Sequence, residues 1–180
     1  MSPSANIASR EEEIEKRAEQ SLDQLEKRTM PTDLLGIAKN AGIDVRVASF
    51  RPSKRDTIVM LSKTREKPSI HLRETSSALL KREALAHALG HYFLHFANEA
   101  EFIHFDKASE IIGFKRAAVH EEEPERLREE EARLFGAALL MPKRDILLRW
   151  AQLQSVCDMA EFFQVSEEAM YDRLSRLELL

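Results

Sequence analysis

The residues in this chain most able to do chemistry lie in Ala86-His87-Ala88-Leu89-Gly90-His91-Tyr92-Phe93-Leu94-His95, where three histidines stand four positions apart. In a helix, positions four apart are offset by about 40°, so His87, His91 and His95 share one side. Imidazoles one turn apart can both reach a single metal ion, about 2.0–2.1 Å from each nitrogen for zinc. The neighbours of His87 and His91 are apolar, and two buried imidazoles there gain nothing unless a partner satisfies them. His95 lies about 12 Å of rise from His87, too far to share one tetrahedral centre with it, and is read as a residue beside the metal, lining its pocket.

The spacing of His87 and His91 is that of the His-Glu-x-x-His zinc-peptidase motif, in which the glutamate takes a proton from the attacking water. Here that position is Ala88, and a methyl group cannot accept a proton. A third ligand has to come from elsewhere. The chain has a single cysteine, Cys157, so a zinc site must be built from histidine and carboxylate. The acidic run Glu129-Glu130-Glu131 supplies candidates. On a helix, the apolar stripe Ala132, Phe135, Gly136 and Leu139 is centred about 60° from Glu129, about 100° from Glu131 and about 160° from Glu130. Glu129 is therefore the carboxylate that points inward, where it needs a cation. His71, His104 and His120 are read as partly buried, hydrogen-bonded side chains.

Long helices with a small extended region must position these groups, because five glycines and six prolines in 180 residues leave little punctuation. The fold class is α+β. Ile14, Ala18, Leu22 and Leu25 mark an amphipathic first helix. Pro31-Thr32-Asp33 opens a second helix over Leu34 to Asn40, closed by Gly42. Three strands follow, carrying Ile43, Val45 and Val47, then Thr57 to Leu61, then Ser69 to Leu72. The histidine helix is expected from a cap at Thr75 or Ser76 to about Ala97, and an irregular stretch over Asn98 to His120. The acidic run from Glu121 starts a helix that stops at Met141-Pro142. One or two helices reach Phe163, and Ser166 caps a last one running to Leu180. The division expected is a helix over residues 1–30, a main domain over 31–142 and a helical C-terminal extension over 143–180.

Charge narrows the functions open to such a fold. Basic residues number 27 against 31 acidic ones, a net charge of -4, which does not suit a general nucleic-acid binder. The helix-break-helix of Met159 to Leu177 has the outline of a DNA-reading motif, but residues 143–180 carry five basic and seven acidic side chains. Their sign opposes phosphate contact, and packing on the main domain or meeting a protein partner is the better use. With no membrane-spanning run, no apolar leader and one cysteine, a reducing cytoplasmic setting is expected.

Three stretches, REALAHALGHYFLH (Arg82 to His95), EEEARLFGAALLMP (Glu129 to Pro142) and MAEFFQVSEEAMYDRLSRL (Met159 to Leu177), together resemble the ImmA/IrrE family of zinc metallopeptidases. The resemblance also takes in Pro31 to Val47. It implies a zincin-like domain with His87, His91 and Glu129 as zinc ligands and a water in the fourth position. It implies as substrate a helix-turn-helix repressor of the XRE type, whose cleavage derepresses mobile-element or stress-response genes. Manganese is a second ion to try in assays. Ala88 departs from the family pattern while the flanking ligands remain. That is the form of an inactive variant made to trap substrate or avoid self-toxicity, or of a naturally degenerate member acting as an antirepressor by binding alone. His95, His104 and Tyr171 are weak candidates for stabilising an oxyanion.

Overall fold

A computed structural model describes residues 3–51, 57–64, 67–107 and 123–180. His120, Glu121 and Glu122 lie outside these residues. The described chain holds α1 (Pro3–Asp23), α2 (Leu34–Asn40), β1 (Asp44–Ala48), β2 (Thr57–Lys63), β3 (Ser69–Arg73), α3 (Ala78–His91), β4 (Phe102–Lys107), α4 (Glu123–Leu140), α5 (Lys143–Leu153), α6 (Val156–Phe163) and α7 (Glu167–Arg176). It is α+β, mostly helical, with one small mixed sheet, as the punctuation predicts.

The helix starts follow from local chemistry. The Asp33 carboxylate accepts the Gly36 N–H at 2.9 Å and Gly42 takes φ +72, so α2 has the expected start and exit. Ser166 accepts the Ala169 N–H and caps α7, which ends at Arg176 rather than Leu180. The cap of α3 is Ser77, one residue beyond the expected pair, with its hydroxyl accepting the Leu80 N–H at 3.1 Å. At its other end, α3 does not run on to Ala97 as an α-helix. Residues Tyr92–Phe96 form a π-helical turn, a wider winding that re-aims the side chains after His91.

The sheet order is β1-β3-β2-β4, with β1 parallel to β3 and the other two pairings antiparallel. Val59 pairs with Leu72 on one side and Asp106 on the other, and Leu61 pairs with Ile70 and His104. Side chains alternate across a strand, so one sheet face carries Val59, Leu61, Ile70 and Leu72, and His104 and Asp106 extend that row at the edge. The register shift between Thr57 and Val59 lets Ile58 and Val59 both be buried. Strand β4 stands where an irregular stretch was expected, and it brings chemistry with it.

Helix α3 packs between the sheet and α4. Glycines allow the closest approach. A Cβ on Gly90 would lie 2.5 Å from the Ala132 carbonyl oxygen, and one on Gly136 would lie 3.0–3.1 Å from the backbone of Ala86 and His87. Helix α1 lies along α4, burying Ile14, Ala18 and Leu22 as its periodicity predicts. Arg10 bridges from it to Glu131 at 2.6 Å, and Arg17 donates to the Phe93 carbonyl at 2.8 Å. Arg173 of α7, buried, pairs with Glu15 of α1, while buried Glu83 of α3 accepts the Ser166 N–H at 2.8 Å. The first and last helices are thus tied to the helices that carry the histidines and Glu129.

Candidate metal centre

Four side chains from three elements meet in the interior. His87 and His91 come from α3, Glu129 from α4 and Asp106 from β4, and one donor atom of each lies within 4.8 Å of all the others. Their exposures are 3%, 1%, 5% and 0%. His91 Nε2 is 3.1 Å from His87 Nε2 and 3.1 Å from Glu129 Oε1, and His87 Nε2 is 3.2 Å from Glu129 Oε2. Asp106 Oδ1 stands 3.7 Å from His87 Nε2 and 3.6 Å from His91 Nε2. Ligands about 2.0–2.1 Å from a tetrahedral ion are separated by about 3.4 Å, and these separations scatter about that value.

The chemistry of the donors fits a cation. Two carboxylates are buried together, and among the described residues their ion-pair partners are histidines only. Burial pushes the His91 imidazole down to about 4, so at neutral pH it is uncharged and offers a lone pair or an N–H. Burial opposes ionisation of Glu129, yet hydrogen bonding to His87 and His91 outweighs it and holds the carboxyl far below its usual range. Asp106 is likewise held down, burial opposing and the facing histidines prevailing. His87 Nδ1 and Asp106 Oδ2 are buried without a hydrogen-bond partner. Two negative charges, two convergent imidazoles and no described lysine or arginine paired with them make a site that a divalent ion neutralises.

The model of the IrrE N-terminal-like domain, a peptidase family, matches residues 38–175. The chain belongs to this family. A search of curated proteins finds no match. In this IrrE-like chain the match spans the histidine helix, all of α4 and most of the C-terminal helices, so the four-residue cluster sits inside the shared region.

His87, His91 and Glu129, the three ligands expected from the sequence, come together. Glu129 is buried while Glu130 and Glu131 are only partly so, in line with the helical angles. Glu130 instead meets Arg133 and Arg176, and Glu131 meets Arg10. His95 stays outside the donor group. Its Nε2 is 3.2 Å from the Arg128 carbonyl oxygen, its ring is 5.5 Å from that of His91, and burial lowers its basicity. His104 is partly buried and hydrogen-bonded, as expected, and it stands beside the cluster: its Nε2 is 2.7 Å from Asp106 Oδ1, and its ring is 4.2 Å from that of His91. With His91, Phe96, Pro124, Glu125, Arg128 and Glu129 it lines a cavity of about 300 Å³ beside the cluster. His71 bonds to Ser69 at 3.2 Å, away from the site, and Tyr171 is 60% exposed on α7. Asp106 is the member of the cluster that the sequence reading does not pick out. Its signal in the sequence is the i,i+2 spacing with His104, which puts both side chains on one face once the segment is a strand.

Proposed function

We propose that this chain is a zinc-holding protein of metallo-endopeptidase type, directed at an XRE-type helix-turn-helix repressor, which with Ala88 holds its target and cuts it very poorly. The observation that carries the reading is the convergence of His87, His91 and Glu129 beside a position whose side chain is a fully buried methyl group, Ala88 at 0% exposure. A bound zinc ion supplies Lewis acidity, polarising a peptide carbonyl and making water more acidic. The chain's own residues do the rest. His87 and His91, neutral when ligating, hold the ion from one helix face, and Glu129 brings a balancing charge from the facing helix. No group at position 88 takes up the proton that an attacking water must lose, and absence of a general base costs on the order of 10²–10⁴ in rate. What remains is recognition, which supports an antirepressor acting by association alone as the second reading.

The C-terminal helices suit a protein partner better than DNA. Two of their five basic residues, Arg173 and Arg176, are already paired with Glu15, Glu11, Glu130 and Asp172. No helix among the described residues is long and apolar enough to cross a membrane. We place the protein in the cytoplasm, where such a repressor works.

Zinc analysis of the purified protein, unmutated and His87→Ala, tests the metal; less than about half an equivalent, unchanged by the substitution, overturns it. Binding to an XRE-type repressor encoded beside the gene tests the partner. Cleavage is read with zinc and with manganese in Ala88→Glu, alone and with Asp106→Ala, which removes the additional carboxylate facing the site. Repressor that is bound by both variants and cut by neither refutes the peptidase reading and leaves association standing.

A further inference from the structure

Resting on the metal reading above, we infer that Asp106 is a fourth protein ligand, so that this chain fills all four tetrahedral positions of its ion and His104 holds the closing carboxylate in place. Catalytic zinc sites use three protein ligands and keep one position for water or substrate, whereas four protein ligands make a structural site. Asp106 Oδ1 is nearly equidistant from the two histidine nitrogens, at 3.7 and 3.6 Å, the relation of a fourth vertex to two others. A carboxylate acting only on a metal-held water stands one hydrogen bond, about 2.8 Å, further out.

Three further observations agree. Asp106 is wholly buried, so solvent does not stabilise its charge. With Glu129 it makes a charge of two, which a divalent ion balances, while three ligands alone leave a net positive ion beside an unused buried anion. His104 Nε2–H donates to Asp106 Oδ1 at 2.7 Å, the kind of supporting bond that orients a metal-bound carboxylate, and a carboxylate oxygen has lone pairs for both partners. Asp106 also comes from the sheet edge, while the other ligands come from helices, so the ion pins β4 to the pair α3 and α4. A closed sphere leaves no position for the water, which is why cleavage is read with Asp106→Ala added to Ala88→Glu.

Cobalt(II) loaded into the full-length chain tests the geometry without reference to turnover. The unmutated protein shows a tetrahedral cobalt spectrum that excess azide does not change. Asp106→Ala, with unaltered far-ultraviolet circular dichroism, opens a position: azide then shifts the spectrum, and cobalt binds more weakly by at least the 10–100-fold that loss of an outer partner costs. His104→Ala weakens cobalt binding within about 10–100-fold and leaves the unmutated response to azide. A spectrum that azide shifts in the unmutated protein overturns the fourth ligand while leaving a three-ligand site intact, and this result needs no variant to fold. Cobalt bound by neither the unmutated chain nor Asp106→Ala overturns the metal reading together with the inference.

Discussion

Gly90→Ala is the substitution whose effect the helix contact makes most definite. The added Cβ meets the Ala132 carbonyl oxygen at 2.5 Å and the Ala132 Cα and carbonyl carbon at 2.9 and 3.0 Å. All three are backbone atoms, so no side chain can swing away, and reaching an ordinary 3.4 Å separation moves α3 and α4 apart by about 0.9 Å. Overpacking of this kind costs about 1–3 kcal/mol, and the better helix propensity of alanine returns about 1, leaving a net loss of up to about 2 kcal/mol. The proposed metal site suffers more. His87 and His91 ride on α3 and Glu129 on α4, now 3.1–3.2 Å apart, and ligand distances tolerate about 0.2 Å. Zinc affinity is expected to fall at least tenfold, read by competition with a chromophoric chelator, alongside urea unfolding of the metal-free protein. Gly136→Ala is the internal comparison. Its Cβ is met at 3.0–3.1 Å and needs only a few tenths of an ångström, so both losses are smaller. A Gly90→Ala protein that binds zinc within twofold of the unmutated chain and unfolds at the same urea concentration would refute the close crossing.

Two further outcomes follow from buried charge. In the metal-free protein the folded state keeps His91 neutral down to about pH 4, while an unfolded histidine gains its proton near 6.5, so stability is present in full above 6.5 and is lost as the pH falls toward 4. The loss is about 3 kcal/mol, seen as a fall in urea midpoint between about pH 7 and pH 4, and the depressed Glu129 carboxyl extends it in the same direction at lower pH. His91→Gln should flatten this slope; an unchanged slope counts against it. Glu15→Ala leaves the Arg173 guanidinium, 2% exposed, without its carboxylate. The cost is about 2–3 kcal/mol in urea unfolding, below the 3–5 of a fully buried pair because Glu15 itself is 32% exposed, and Glu15→Ala with Arg173→Met should recover part of it.

Three of the four converging side chains are legible in the sequence. The i,i+4 histidines and the inward angle of Glu129 depend on helical periodicity alone, and nothing in the tertiary packing disturbs it. Asp106 was hidden because β4 inverts the usual pattern: its inward positions carry His104 and Asp106, while Ile103, apolar, is 60% exposed. Hydrophobic alternation reads such a strand as loop, since the inward face is polar where it borders the site. The π-turn at Tyr92–Phe96 was equally illegible, because its residues suit an α-helix and only the packing decides the wider winding. Caps with a short polar side chain, Asp33 and Ser166, are readable; that the cap of α3 is Ser77 rather than Thr75 or Ser76 depends on where the chain leaves β3.

The reach of α1 bears on how this protein can be shortened. The family match begins at residue 38, so a fragment trimmed to it discards α1 and the first half of α2. That cut removes Ile14, Ala18 and Leu22 from the core and strips Arg10 from Glu131, Glu15 from Arg173 and Arg17 from the Phe93 carbonyl in one stroke. The last of these anchors the π-turn that follows His91, and Glu131 lies two residues from Glu129. A trimmed fragment would therefore present as a weak metal binder with a sticky flank, and a negative result obtained with it would reflect the missing helix rather than the chemistry of the site.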